Sequence, residues 1–241
     1  ADYNVLDWGS GMGRGTETLK KMIAESGSYG DWRARQRVKL ESYEPFFVEG
    51  KGRTAPSLKR KPRKETQDLI INSQVVNVIP ADERAQLLQD IYTSLKEEGQ
   101  AIITTRTPTQ ITKSISEKTL KVVGPAEYIS SVEGKATTYQ KGFSAKSLKK
   151  FIEEVLPEAD VVANGLDIGP THVVITKPKG AGIELDSDPE ESVVNIQKTE
   201  SEDFKKELDQ FSKIKGEPKV SGAFFDDMYK SMPRGALSSL I

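Results

Sequence analysis

The sequence predicts an α/β protein with an open, mostly parallel twisted sheet, helices on both faces and an antiparallel last strand. Three observations carry that reading. Strand and helix signals alternate through residues 3–177, the order produced when parallel strands are joined by crossover helices. The segment DLIINS, residues 68–73, holds three consecutive apolar residues, as expected of a strand covered on both faces. Gly9, Gly11, Gly13 and Gly15 follow directly on the first strand, where an open sheet turns its backbone toward a ligand.

Taken in order, Tyr3–Asp7 is the first strand. Thr16–Glu25 is the first helix, with Leu19, Met22 and Ile23 on its apolar face. Arg37–Glu44 is the second strand and ends in YEP. From Glu49 to Lys64 the chain is basic, contains proline and lacks an apolar period, so it reads as a loop. After DLIINS a helix is expected over residues 80–99, capped by Asp82, apolar through Leu88, Ile91, Tyr92 and Leu95, and stopped by Gly99. AIITTR (101–106) is the next strand. Ser144 caps a further helix whose apolar face is Leu148, Phe151, Ile152 and Val155. Strands near 159–164 and 171–177 are joined by GLDIGP, short enough for an antiparallel pair. His172, the only histidine, lies in that last strand pattern and reads as a core or edge residue rather than a base.

These elements make residues 1–179 one α/β domain. Within it, residues 108–142 exceed what a βα connection needs. TLKVV, EYISSV and ATTYQ predict small strands there, an insert placed to act as a substrate lid. Residues 180–200 predict an acidic linker, and residues 201–241 a helical tail. Phe204, Leu208 and Phe211 suggest a short helix in that tail. Phe224, Phe225, Met228 and Tyr229 form an apolar patch for self-docking or for a protein partner.

Composition narrows the function classes. The chain has 241 residues, 36% of them hydrophobic and 29% charged, with a formal net charge of −1. There is no cysteine, which removes disulfides, thiolate metal sites and a thiol nucleophile together. No apolar run approaches a membrane span and no basic-then-apolar leader opens the chain, so a cytoplasmic location without membrane contact is expected. Ala1 stands a few residues before the first strand, so either an initiator methionine was trimmed or sequence precedes it. The near-zero charge hides an asymmetry: residues 51–64 hold seven Lys/Arg and no acid, whereas residues 184–209 hold ten Asp/Glu against three Lys. Local charge is what a partner meets.

The glycine turn is the chemically informative feature. A phosphate-binding P-loop needs Gly-Lys-Ser/Thr after its spacer, and no lysine stands in this turn. A dinucleotide fingerprint needs a Gly or Ala at its sixth position, but counting from Gly9 gives Arg14 and from Gly11 gives Thr16. What remains is Asp-x-Gly-x-Gly-x-Gly, formed by Asp7, Gly9, Gly11 and Gly13. It resembles the first motif of the class I S-adenosylmethionine-dependent methyltransferases. Glu44 at the end of the second strand matches the acid that in this family accepts both ribose hydroxyls. DLIINSQVVNVIP, the helix after it and the turn into AIITTR are similar to the family's fourth strand, helix and fifth strand. EEGQ stands where the family has Pro-Gly-Gly, and no separate third strand is readable between Glu44 and Asp68.

The resemblance implies a class I methyltransferase-like fold and S-adenosylmethionine as cofactor. The cofactor has no phosphates and needs no cationic cradle. Asp7 would hold its ammonium, directly or through water. The implied cofactor-binding residues are Asp7, Trp8, Gly9, Ser10, Gly11, Gly13, Glu44, Pro45, Asn72 and Ser73. Asn72 and Asn77 also suit turn capping. No metal is implied, and no catalytic residue is identified.

The acceptor is narrowed by exclusion. Methylation at pyrimidine C5 needs a cysteine nucleophile, which is absent. Methylation of exocyclic base amines uses Asp/Asn/Ser-Pro-Pro-aromatic, whereas this chain has Asn72-Ser73-Gln74-Val75; that type is disfavoured. The basic loop Lys51–Lys64, preceded by Arg33, Arg35 and Arg37, is either a nucleic-acid contact through phosphates or a solvated loop. It holds no aromatic residue to stack a base. Tyr128 and Tyr139 are candidates to line an acceptor pocket. The expected activity is methyl transfer to a nucleic acid or small molecule in preference to a protein. The alternative is a non-catalytic module of the same fold that contacts a partner through its tail.

Overall fold

A computed structural model describes residues 2–26, 38–45, 55–114, 120–130, 138–166 and 171–180. Arg33, Arg35, Arg37, Lys51, Arg53, the acidic segment from residue 181 and the patch Phe224, Phe225, Met228 and Tyr229 lie outside the described residues.

Strand β1 (Tyr3–Trp8) leads into α1 (Arg14–Ser26), then β2 (Val38–Tyr43), β3 (Gln67–Ser73), α2 (Ala81–Ser94) and β4 (Leu95–Thr104). A short α3 (Pro108–Ser114) precedes β5 (Leu120–Gly124), β6 (Glu127–Ser130) and β7 (Thr138–Lys141). The described chain closes with α4 (Ala145–Val155), β8 (Asp160–Ala163) and β9 (His172–Thr176). The main sheet has the order β2-β1-β3-β4-β9-β8. β2, β1, β3 and β4 run parallel, and β9 is antiparallel to both β4 and β8. The mostly parallel sheet with an antiparallel last strand is therefore as expected, and β9 sits between its two neighbours rather than at an edge.

Alternation along the strands divides the core. Leu6, Trp8, Ile70, Ala101 and Ile103 face Leu88 and Ile91 of α2 and Leu148 and Ile152 of α4. Val5, Leu69, Ile71 and Ile102 face the other way, onto Leu19 and Met22 of α1. The period of two along a strand is what sends neighbouring residues to opposite layers. Helices thus cover both faces. α4 begins at a reciprocal cap in which Ser144 Oγ accepts from the Ser147 backbone N–H and Ser147 Oγ from that of Ser144.

Three features differ from the sequence reading. The helix expected over residues 80–99 ends at Ser94, and Asp82 does not cap it: the N-cap is Pro80, with no side-chain bond. The reason lies in Leu95, which buries its side chain as the first residue of β4, paired with Gln67, instead of as a last helical turn. The helix-end carbonyls of Thr93 and Ser94 accept from Glu65 and Thr66, which replaces the expected glycine cap. Gly99 stops no helix. It lies in a bulge of β4 between the pairs Gln67–Leu95 and Leu69–Gln100, where Glu98 adopts φ +60°. Second, a vestige of a further strand exists beside β2: Leu58 forms a single parallel bridge with Tyr43, locked by reciprocal bonds between Ser42 and Ser57. Third, α3 was not anticipated, although Thr107-Pro108-Thr109-Gln110 is a capping box with proline at the first helical position. Gln110 N–H donates to Thr107 Oγ1, and Thr107 N–H to Gln110 Oε1.

The insert forms its own antiparallel sheet, β5-β6-β7. It is tied to the main domain near the carboxyl ends of β3 and β4 by backbone bonds from Lys141 to Asn77 and from Phe143 to Arg106.

Candidate functional site

The proposed site residues converge because β2, β1 and β3 are neighbours and all point the same way. The carboxyl end of β1 delivers Asp7 and the turn Gly9–Gly13, that of β2 delivers Glu44 and Pro45, and that of β3 delivers Asn72 and Ser73. β1 is the strand from which the chain order departs in both directions, the place where open α/β sheets leave a crevice.

The turn itself is built on three glycines with positive φ: Gly9 (+80°), Gly11 (+53°) and Gly13 (+81°). Gly9 is required twice over. Its conformation disfavours a side chain, and a Cβ there would stand 2.2 Å from Val75 Cγ2. Gly11 is different, because among the described residues nothing lies within 4 Å of where its Cβ would be. Its backbone faces open space. The turn hangs from β2 through bonds from Gly9 and Ser10 N–H to the Tyr43 carbonyl, and Gly13 N–H closes it onto the Ser10 carbonyl.

Two carboxylates flank this turn. Glu44 Oε2 accepts from Gly11 N–H at 2.7 Å. Asp7 lies beneath, 1% exposed, and accepts from Thr16 Oγ1 at 2.6 Å. Burial pushes the Asp7 carboxyl up to about 6; the Thr16 hydroxyl works against that rise and the Glu44 charge adds to it. Thr16, which the sequence reading did not single out, thus orients the deeper acid from the third residue of α1. Its signal is a hydroxyl on the first helical turn after the glycines.

The remaining candidates divide. The Trp8 side chain belongs to the core, edge-to-face on Tyr43 at 5.3 Å, so only its backbone lies at the candidate site. Its carbonyl accepts from Asn72 Nδ2 at 3.0 Å, a bridge from β3 to β1 that leaves the buried Asn72 Oδ1 without a hydrogen-bond partner among the described residues. Ser73 Oγ shares a hydrogen bond with Thr104 Oγ1 on β4, whereas Pro45 is exposed. Gln74, next after β3, is 2% exposed, has φ +59° and an unpartnered Nε2. A buried non-glycine residue in the left-handed region is strained, and nothing in the sequence pattern flags it. Arg14, first residue of α1, also buries an unpartnered Nε.

His172 is structural: its Nε2 accepts from Leu166 N–H at 3.1 Å. Tyr139 is engaged as well. Its hydroxyl accepts from Arg84 Nη2 at 2.6 Å, and Arg84, 4% exposed, also donates through Nε to the Val76 carbonyl. Glu127, 7% exposed, lies 3.9 Å from Arg84 Nη1 and 3.0 Å from Lys141 Nζ. This buried network straps β6 and β7 to α2. Among the described residues no cluster of His, Asp or Glu is placed to hold a metal ion, and no helix is long and apolar enough to cross a membrane.

No protein-family model and no curated protein matches the chain. Among solved structures, it is similar to a SAM-dependent methyltransferase from Methanosarcina mazei, with 11% identity over 73% of this chain and 93% of that one and a TM-score of 0.43. It is also similar to a SAM-dependent methyltransferase from Archaeoglobus fulgidus, with 18% identity, 73% and 87% coverage and a TM-score of 0.42. A third similar structure is a complex of DhpI with SAH, at 13% identity, 74% and 78% coverage and a TM-score of 0.43.

Proposed function

We propose that the carboxyl edge of β1–β3 holds S-adenosylmethionine and that the protein transfers its methyl group to an acceptor, a nucleic acid or small molecule in preference to a protein. One observation supports this most: a glycine backbone open to space at Gly11, gripped by one carboxylate and undercut by another. Two acids beside a backbone turn repel phosphates and suit a ligand with an ammonium and vicinal hydroxyls. The donor set fits the cofactor's amino-acid end: Asp7 takes the ammonium, and the orphaned Arg14 Nε takes the carboxylate. Glu44 takes the ribose hydroxyls and releases Gly11 N–H as it does so. The unpartnered Asn72 Oδ1 is an acceptor for a donor at the inner wall.

When bound, the cofactor supplies an electrophilic methyl on a positively charged sulfur. The chain's own task is positioning and exclusion of water. No residue is assigned as a base, since His172 Nε2 is committed to Leu166 N–H.

Calorimetry with S-adenosylhomocysteine tests the binding half. Asp7→Ala and Glu44→Ala are each expected to weaken affinity at least tenfold, about 1.4 kcal/mol. Unchanged affinity in both removes the assignment. Labelled-methyl transfer to a panel of nucleic acids, proteins and small molecules tests turnover; binding without transfer would favour the non-catalytic module.

A further inference from the structure

The segment after the Tyr43–Leu58 bridge concentrates positive charge in a defined place. Lys59, Arg60, Lys61, Arg63 and Lys64 are exposed, with only Pro62 between them. The segment is held at both ends. Leu58 packs against the core and its N–H donates to the Ser42 carbonyl, while Glu65 and Thr66 bond to the end of α2. Lys61 pairs with Asp90 of α2. Lys59, Arg60, Arg63 and Lys64 form no ion pair with another described residue. On α4, the half-buried Lys149 and the exposed Lys150 each pair with a glutamate one turn on. The strip starts beside Tyr43, one residue from Glu44, and so runs away from the rim of the candidate site.

We propose that this strip binds the phosphate backbone of a nucleic acid, which reaches the Gly11–Glu44 rim at the strip's Leu58 end, making a nucleic acid the carrier of the methyl acceptor. Four cations without an ion-pair partner among the described residues, on a segment anchored at both ends, present charge without a further cost of ordering the backbone. They also release counterions on meeting closely spaced phosphates. The absence of any aromatic residue in the strip makes the contact one with the backbone, blind to sequence. The second clause rests on the proposed cofactor site; the binding clause does not.

The test measures fluorescence anisotropy of a labelled 20-base-pair DNA duplex, a single strand of the same length and an RNA hairpin against the full chain. Four phosphate contacts on a duplex predict about a 150-fold loss of affinity between 50 and 200 mM salt. Replacing Lys59, Arg60, Arg63 and Lys64 together by glutamine should remove most of that salt dependence. S-adenosylhomocysteine affinity, measured in parallel, should not move, which separates failure of the strip from failure of the cofactor site. Lys149→Gln with Lys150→Gln should leave binding intact. Equal loss in that control, an unchanged salt slope in the quadruple variant, or equally tight binding of polyglutamate would overturn the proposal.

Discussion

Asp7 offers a test in which stability and function move in opposite directions. Its carboxyl titrates near 6 in the folded chain against an ordinary value near 4 when unfolded. The folded state therefore prefers the protonated acid. The group's contribution is most favourable below pH 4, is lost as pH rises through 6, and levels off at about 3 kcal/mol of cost near pH 7.5. Asp7→Asn keeps the shape and an acceptor for Thr16 Oγ1 but removes the charge. Urea denaturation of both proteins at pH 7.5, 5 and 4 should show the variant gaining relative to wild type as pH rises. The difference between the extremes should be about 2 kcal/mol. Any fixed cost of the new amide's N–H groups cancels in that difference. Calorimetry at pH 7.5 should show S-adenosylhomocysteine binding at least tenfold weaker to the variant. Wild-type affinity should itself fall as pH drops through 6, because the ammonium seeks the ionised acid. A stability difference that ignores pH refutes the burial argument; an unaltered affinity refutes the role of Asp7 in the site.

Other expectations follow from the same geometry. Gly9→Ala should cost about 2–4 kcal/mol, from backbone strain and the collision with Val75 Cγ2. Adding Val75→Ala should recover only the collision, which a double-mutant denaturation cycle measures. Arg84→Ala should lower stability by about 3 kcal/mol, because Tyr139 and the Val76 carbonyl lose a buried donor and Glu127 loses one of two cations. Proteolysis of β5–β7 should accelerate in that variant. Leu148→Ala, at a fully buried site between α4 and the sheet, should cost about 2–5 kcal/mol in chemical denaturation. Binding of S-adenosylhomocysteine by the folded fraction should be retained.

Local pattern made much of this molecule legible. Apolar runs such as DLIINS announce a doubly covered strand because its surroundings are uniform along its length. The Ser144 cap is readable because its partners lie within three residues. The Gly9–Gly13 turn is readable because positive φ has few amino-acid solutions. Asp7 and Glu44 could be named as a pair only through resemblance to a family, but the parallel register of β1 on β2 then brought both to one turn.

Where the outcome depended on distant partners, pattern alone failed. Leu95 has the same apolar character in a helix or a strand, and its pairing with Gln67 decided for the strand. Arg84 carries no sign in its own segment that it will be buried against Glu127 and Tyr139, both more than forty residues away. The left-handed Gln74 and the orphaned Asn72 Oδ1 likewise exist only once β1, β3 and β4 are in register. The chain's own order thus determined the layers, the turn and the charges available to it. The packed structure decided which buried polar atoms found a partner among the described residues and which did not, because hydrogen bonds between residues far apart in sequence are settled by register and burial rather than by local preference.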